Sequence, residues 1–527
     1  MPKPGTLRIG HRYRPDRLNG PYDTLVIGSG IGGLAAAALL AEVGQRVAVL
    51  EQHYTAGGAT HSYERAGYEW DVGVHYIGLA KPHTAMARMF AAVFGEGVTW
   101  ASMGDVYDTV ILGDRRYEYL AGRERWRARM HEYFPRDAAA IDAYLALLKQ
   151  AVGASQLFWA EKAVPDVVAT LGGWAMRARF ARHARQTTRT VLESLTRNQE
   201  LIAVLAAQWG DYGLPPAASS FGMHAILATH YLAGAAYPAG GARTMAASIL
   251  PRIELSSGAV LVDADVEAIV MARGRAVGVR TTDGREFRAP LVISDAGLAT
   301  TLRLLPPDAP GRAPMDATLA RLTPSAAHVC LYVGLKATDA ELGLQRSNLW
   351  VYPDHDFEGA LDRFGADPDS PIPLAYISFP SAKDPSFAAR FPGRATIEVL
   401  TLGRYEWFDA WAGGAWHRRG DDYEAFKGRW RDRLLEVLYR QVPQVRGRVD
   451  VAEVSTPLST RHFTNYSRGE IYGVAHDPAR FAERGLKPRT PVPGLWLTGQ
   501  DVCTCGIGGA IAAGYLTASA LARRPLF

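Results

Sequence analysis

The residues best placed to do chemistry stand near the start of the chain. Gly28-Ser29-Gly30-Ile31-Gly32-Gly33 follow an apolar run, Thr24 to Ile27, and open an alanine-rich run that stops at Val43-Gly44. A second apolar run, Val47 to Leu50, ends on an acid, Glu51. Strand, glycine turn, helix, strand, acid is the order that a dinucleotide site requires. Gly28 lets the chain turn sharply off the first strand. Gly30 lets a pyrophosphate approach the backbone, and Gly33 lets the helix lie close on the sheet. The helix N-terminus offers free N–H groups and partial positive charge to the phosphates. Glu51 is placed to accept hydrogen bonds from ribose hydroxyls. It would repel a 2′-phosphate, so the spacing predicts FAD or NAD rather than NADP.

These residues need a large scaffold. A chain of 527 residues suggests two or three intertwined units, and 48% hydrophobic with 21% charged residues is the composition of a globular protein with a large core. A net charge of +5 is mild for this length and makes no case for nucleic acid. Three cysteines cannot build a disulfide framework, which fits a reducing, cytoplasmic compartment. The first twenty residues are basic but lack the apolar core of a secretory signal, so they read as a flexible arm. No apolar run is long enough to span a bilayer without glycine breaks.

Along the chain, residues 82 to about 229 read as mainly helical. One part of this region carries no acid between Val167 and Leu192, while Arg177, Arg179, Arg182, Arg185 and Arg189 recur beside Trp174, Met176 and Phe180. A basic helix with large apolar residues can lie on an anionic membrane surface, and a solvated face or partner contact would read alike. Tyr237 to Gly241 break the helical region, and an amphipathic helix follows over about 244–253. Short alternating strands from Ala259 to Ala289, with turns at Gly274 and Asp283-Gly284, predict a meander. Aromatic strand-like runs between Thr323 and Leu402 predict a second sheet, able to floor an apolar tunnel or to serve as plain core. An amphipathic helical stretch follows from Tyr405 to Gln441.

Near the far end, Pro493 to Asp501 read as a strand ending in glycine and an acid, and Gly506 to Gly514 open a last helix. A second nucleotide-type helix N-terminus therefore lies at the opposite end of the chain. The expected fold is α/β: a Rossmann-type domain built from both chain ends, with an inserted α+β substrate domain that holds a sheet and a helical, membrane-facing part. The expected units are 1–80, 81–240, 241–300, 301–450 and 451–527.

At this point a family likeness appears. The segments VIGSGIGGLAAAALLA with VLEQH, AGGATHSY, DVGVHYIG and LTGQDVCTCGIGGA resemble the phytoene-desaturase-like FAD oxidoreductases, and within them the retinol-saturase branch. The likeness is firm at both ends of the chain and loose in the middle. It implies an extended FAD site of the glutathione-reductase type. Its members would be Gly28, Ser29, Gly30, Ile31, Gly32 and Gly33, then Glu51 and Gln52. Gly57, Gly58, Ala59 and Thr60 would run beneath the flavin, although a pair of surface turns would read the same way. Val266 would contact the adenine by its backbone. Asp501 would hold the ribitol chain, with Gly499, Gly508, Gly509 and Ile511 by the pyrophosphate or ring edge. The likeness also sets His75 and Tyr76 near the ring, as proton-transfer groups or as packing.

One nucleotide fingerprint is present, so a bound flavin would exchange electrons with a diffusing donor or acceptor. The implied activity is saturation or desaturation of a carbon–carbon double bond in a long apolar polyene, such as a retinoid or carotenoid. A carotenoid cis–trans isomerase would use the same site. An amine oxidase or a flavin-free escort protein are further readings, the last opposed by the intact glycines and acids. Cys503 and Cys505 could form a redox pair or simply pack. Residues one apart rarely close a disulfide. No metal-ligand spacing stands out among the histidines.

Overall fold

The computed structural model describes residues 7–14, 20–79 and 84–526. Its nucleotide half is built on a six-stranded parallel sheet. The strand order is His11–Arg12, Ala259–Val262, Val47–Leu50, Thr24–Ile27, Leu291–Ser294, Leu495–Leu497. The four central strands are almost wholly buried, as parallel strands covered on both faces must be. Register decides what happens at their ends. Ile27 pairs with Leu50 and with Ser294, and Ser294 pairs with Leu497. The next residues, Gly28, Glu51, Asp295 and Thr498, therefore share one edge, the carboxyl edge where open α/β sheets bind ligands.

Helix Ile31–Glu42 leaves that edge directly. Every residue of it except Glu42 is buried. It packs on the last helix, Gly506–Ala522, and on helix Arg243–Leu255. The contact with the last helix is close: a Cβ on Gly514 would lie 2.6 Å from the Gly32 carbonyl oxygen and 2.8 Å from Ala35 Cβ. Small residues on both helices allow this approach, which locks the two chain ends together.

The second half is a seven-stranded sheet ordered Val449–Ser455, Ala327–Leu335, Ala395–Gly403, Ala375–Ser378, Asn348–Tyr352, Val106–Leu112, Arg115–Leu120. All neighbours are antiparallel except Asn348–Tyr352 with Val106–Leu112. Helix Asp421–Gln441 covers one part of it through Tyr423, Trp430, Leu434 and Leu438. Helices Ala138–Glu161, Asp166–Ala184 and Phe221–Tyr231 form the helical flank.

Three sequence expectations are corrected here. The region read as helical from residue 82 contains the hairpin Val106–Leu112/Arg115–Leu120, turned by Gly113 and Asp114, and a short strand Trp100–Ser102. The hairpin was hidden because its first strand is buried on both faces and lacks a clean alternation. Strand Ala259–Val262 belongs to the parallel sheet, so the meander is three-stranded: Val266–Ala272, Arg275–Thr281, Glu286–Arg288. Part of the presumed flexible arm is ordered. His11–Arg12 form the edge strand, and the Ile9 amide donates to Thr55 Oγ1 at 2.9 Å. The rest of that arm, residues 1–6 and 15–19, and the proposed start of the helical region at residue 82, lie outside the described residues.

Candidate active site

A cavity of about 760 Å³ begins at the carboxyl edge of the parallel sheet and runs to the seven-stranded sheet. Its first section is lined by Gly28, Gly30, Ile31, Gly32, Glu51, Gln52 and Val266. Gly57, Gly58, Ala59 and Thr60 continue the wall, with Gly499 facing them from the chain's other end. The glycines are required by contact. A Cβ on Gly32 would lie 2.8 Å from Gly499 Cα, and one on Gly58 would lie 2.9 Å from Gly30 Cα. Gly28 and Gly57 also take φ of 91° and 124°, which side chains resist. Three backbone segments thus form a narrow glycine-walled cradle, the shape an extended dinucleotide needs.

Glu51 braces this cradle. Its Oε2 accepts the Ser29 amide at 2.8 Å and the Ser29 hydroxyl at 2.7 Å, and its Oε1 accepts the His53 amide at 2.8 Å. Burial raises its pKa, and these hydrogen bonds oppose the rise. A carboxylate so used has about one acceptor position left for a ribose hydroxyl.

Several expected members lie behind the wall. Ser29 is buried and serves Glu51. Gly33 is a packing residue, since a Cβ there would lie 2.6 Å from the Gly28 carbonyl oxygen. Asp501 faces inward, accepting the Leu298 amide at 2.8 Å and the Val474 amide at 3.1 Å. Gly508 abuts Met86, Gly509 lies on the Thr504 backbone, and Ile511 is fully buried. The last helix instead meets the cavity through Gly506, Ile507 and Ala510, with Gln500 beside them. The helix is turned so that its other face packs on the core.

The far section is apolar and aromatic. Trp350, Leu374, Tyr376, Leu400, Leu402, Tyr332 and His328 come from the seven-stranded sheet, and Tyr472 and Gly210-Asp211 close the side. Of the two readings open for this sheet, part serves each: these side chains line the cavity, while Val329, Leu331, Ile397 and Val399 are plain core. His75 stands where the two sections join. Its Nδ1 lies 2.9 Å from Glu398 Oε2, off the line of a good hydrogen bond. Burial and the nearby Lys383 ammonium lower the His75 pKa to about 3, so its ring is neutral at pH 7. Glu398 is fully buried in the middle of a strand, and burial pushes it up to about 8. Lys383, brought down to about 7 by burial, donates to the His75 carbonyl at 2.8 Å, to Ser378 Oγ at 2.7 Å and to Asn348 Oδ1. Tyr76 does not face the cavity. It is buried behind the wall, where it stacks on Tyr231 and its hydroxyl meets Asp108 and Asp211.

Asp295 is the main residue at the nucleotide end that sequence reasoning passed over. It lines the cavity, and its carboxyl lies against Gly30, Gly32, Gly33 and Gly499. Burial, with Glu51 and Asp501 nearby, pushes it up to about 8. Its signal was the same as that of Glu51, an acid that ends an apolar strand. Glu398 also had a signal: an acid inside the apolar run Ala395 to Leu402. Asp211 and Lys383 had none, because tertiary packing alone brings them in.

Comparison with known proteins follows from this geometry. Residues 26–93 match the model for an NAD(P)-binding Rossmann-like domain. An all-trans-retinol 13,14-reductase of Danio rerio is 36% identical over 98% of this chain and 88% of its own length. The chain belongs to the all-trans-retinol 13,14-reductase family. A Danio rerio member named as an inactive all-trans-retinol 13,14-reductase is 31% identical over 97% of this chain and 87% of its own length. A chloroplastic prolycopene isomerase of Arabidopsis thaliana is more distant, 25% identical over 92% of this chain and 80% of its own. The fold is shared with solved oxidoreductases such as a putrescine oxidase, at a TM-score of 0.62 and 16% identity, covering 95% of this chain and 99% of that one. Because the reductase family includes a member named inactive, the state of the site carries the functional argument.

Proposed function

We propose that this protein binds FAD in the glycine cradle and saturates a carbon–carbon double bond of a long apolar polyene of the retinoid type. The observation that carries the reading is the single continuous cavity, polar and glycine-walled at one end, aromatic and apolar at the other. The cradle residues hold the dinucleotide, and Glu51 takes a ribose hydroxyl. Bound reduced flavin supplies the hydride equivalent. The chain's own residues do the rest: Trp350, Leu374 and Tyr376 line up the polyene and exclude water, and neutral His75 orients the reacting region at the junction. The family match supports the retinoid class. The test is product mass after anaerobic mixing of the reduced protein with all-trans-retinol. A gain of two hydrogens supports saturation, whereas an unchanged mass with altered geometry would replace it with the isomerase reading. One nucleotide fingerprint in the sequence supports a diffusing donor as the source that would re-reduce a bound flavin.

We also propose peripheral contact with an anionic membrane. Helix Asp166–Ala184 exposes Val167, Leu171 and Trp174 at 70%, 76% and 70%, with Leu157 beside them. The same stripe continues into Arg182 and Arg185 at helical spacing. Arg177 and Arg189 drop out of the expected basic set, since Arg177 pairs with Glu161, and Arg189 with Glu193 and Glu358. No helix among the described residues is long and apolar enough to cross a membrane. An apolar polyene dissolves in a bilayer, which makes such a surface its source. Flotation with anionic liposomes tests the contact, and no binding at low salt would end it.

A further inference from the structure

The reductive reading leaves a proton to be supplied, and neutral His75 is a poor source of it. The hydrogen bonds behind the cavity wall point elsewhere. The Tyr76 hydroxyl lies 3.0 Å from Asp108 Oδ2 and 2.9 Å from Asp211 Oδ2. A phenol has one hydrogen, so it can donate to one of these carboxyls only. Asp108 is the better acceptor. Its Oδ1 takes the Asn348 amide at 2.9 Å and its Oδ2 takes the Gln208 amide at 2.8 Å. Both partners are donors, so they hold down the Asp108 pKa, which burial raises to about 6, and leave it the ionised member at pH 7. The Tyr76 hydrogen then points at Asp108, and its oxygen faces Asp211. For the 2.9 Å contact to be a hydrogen bond, Asp211 must carry the hydrogen.

The surroundings agree. Asp211 ends the buried turn Ala207–Asp211 and lines the apolar section beside Trp350, Tyr376 and Tyr472. The titratable groups that face it are Asp108, Cys505 and the tyrosines Tyr76, Tyr212, Tyr231, Tyr352, Tyr376 and Tyr472, none of them cationic. Burial and the Asp108 charge hold its carboxyl well above the usual carboxylate range. A carboxylic acid kept neutral in an apolar wall is able to act as a proton donor.

We propose that Asp211 is the acid that protonates the polyene, with Tyr76 as the positioning residue that holds its proton and then stabilises the carboxylate left behind. The inference rests on the reductive reading above. The Asp211 hydroxyl turns from Tyr76 into the cavity, its O–H bond breaks and a C–H bond forms at one carbon of the double bond, using the π electron pair. The other carbon would take the hydride equivalent that reduced flavin supplies when bound. Asp211 is left as a carboxylate, and the Tyr76 hydroxyl turns from Asp108 to meet it. Water restores the proton after product leaves.

The test uses the full-length protein and two variants, Asp211→Asn and Tyr76→Phe. Infrared spectra at pH 7 of the oxidised protein, taken without substrate, report the protonated acid directly. The expected result is a carboxylic-acid carbonyl band that disappears in Asp211→Asn and shifts in Tyr76→Phe, which removes its hydrogen-bond partner. Anaerobic reoxidation by all-trans-retinol should slow at least ~100-fold in Asp211→Asn with flavin retained, and about tenfold in Tyr76→Phe. The wild-type step should slow in heavy water. Equal reoxidation rates in Asp211→Asn and wild type overturn the proposal, as does the absence of any carboxylic-acid band that Asp211→Asn removes and Tyr76→Phe shifts. A wild type that reduces no polyene refutes the reductive reading instead, and the infrared bands still report whether Asp211 holds its proton toward Tyr76.

Discussion

Replacing Glu51 by alanine tests whether the cradle is braced from within or merely decorated with a ligand. Three hydrogen bonds end on this carboxylate, two of them from backbone amides, Ser29 and His53. The Ser29 hydroxyl is left out of the sum, since it can rotate its hydrogen while its oxygen goes on accepting the Gly57 amide at 3.2 Å. The two amides are held by the turn and cannot follow. Leaving a buried N–H unpaired costs about 1–3 kcal/mol, so the pair amounts to roughly 2–6 kcal/mol. Removing a desolvated carboxylate returns part of this, so the expected loss is near the low end, about 2–3 kcal/mol. That loss falls on the flavin-free protein. The assay is therefore a thermal melt of the apoprotein, beside FAD affinity from flavin fluorescence quenching. Glu51→Ala should lower both. Glu51→Gln should rescue little, because one amide oxygen cannot serve both sites and its NH₂ would face a donor. An apoprotein melt that matches wild type, with FAD affinity alone reduced, would refute the bracing argument and leave Glu51 as a ribose ligand only.

Other perturbations follow from the same contacts. Gly32→Ala puts a Cβ against the Gly499 backbone, 2.8 Å from its Cα, so the two chain ends must part; the purified variant should be colourless, and normal flavin occupancy would contradict the close approach. Burial raises the Glu398 pKa from 4.5 to about 8. The folded state then keeps a proton that the unfolded state has lost, so its contribution is fully present below the unfolded value and declines as pH rises. Between about pH 5 and pH 7, Glu398→Gln should therefore make the slope of apoprotein melting temperature against pH more positive than in wild type, whatever the slope set by the buried histidines, and an identical slope would rule out a protonated Glu398. Above about 7 the depressed Lys383 works in the opposite sense, so that window is not used. Leu171→Glu with Trp174→Glu places two charges on the exposed stripe; flotation with anionic vesicles should fall at least tenfold while flavin content is unchanged, and undiminished flotation would move the contact elsewhere.

The cradle was legible because its determinants are local. A strand, a turn that only glycine can make and a helix start lie within about twenty residues, and Gly57-Gly58 follow directly. The closing helix was legible in kind but not in rotation. Asp501, Gly508, Gly509 and Ile511 face the core, and Gly506, Ile507 and Ala510 face the cavity. Which face a helix turns inward depends on what packs behind it, and here every face is small and apolar, so periodicity offers no choice. The substrate half was less legible still. Val106–Leu112 becomes a strand by pairing in parallel with Asn348–Tyr352, more than two hundred residues away. The same pairing sets Asp108 opposite Asn348, whose amide helps hold that acid ionised. The polar groups behind the cavity wall come from segments that adjoin only in the folded state.

The proposed reaction is transfer of hydrogen from reduced flavin in this cavity to a polyene double bond. Anaerobic stopped-flow mixing of the photoreduced protein with all-trans-retinol tests it most directly. The expected result is reappearance of the oxidised-flavin spectrum with one dihydro product formed per flavin. Flavin that stays reduced while retinol is unchanged, or is only isomerised, would contradict it.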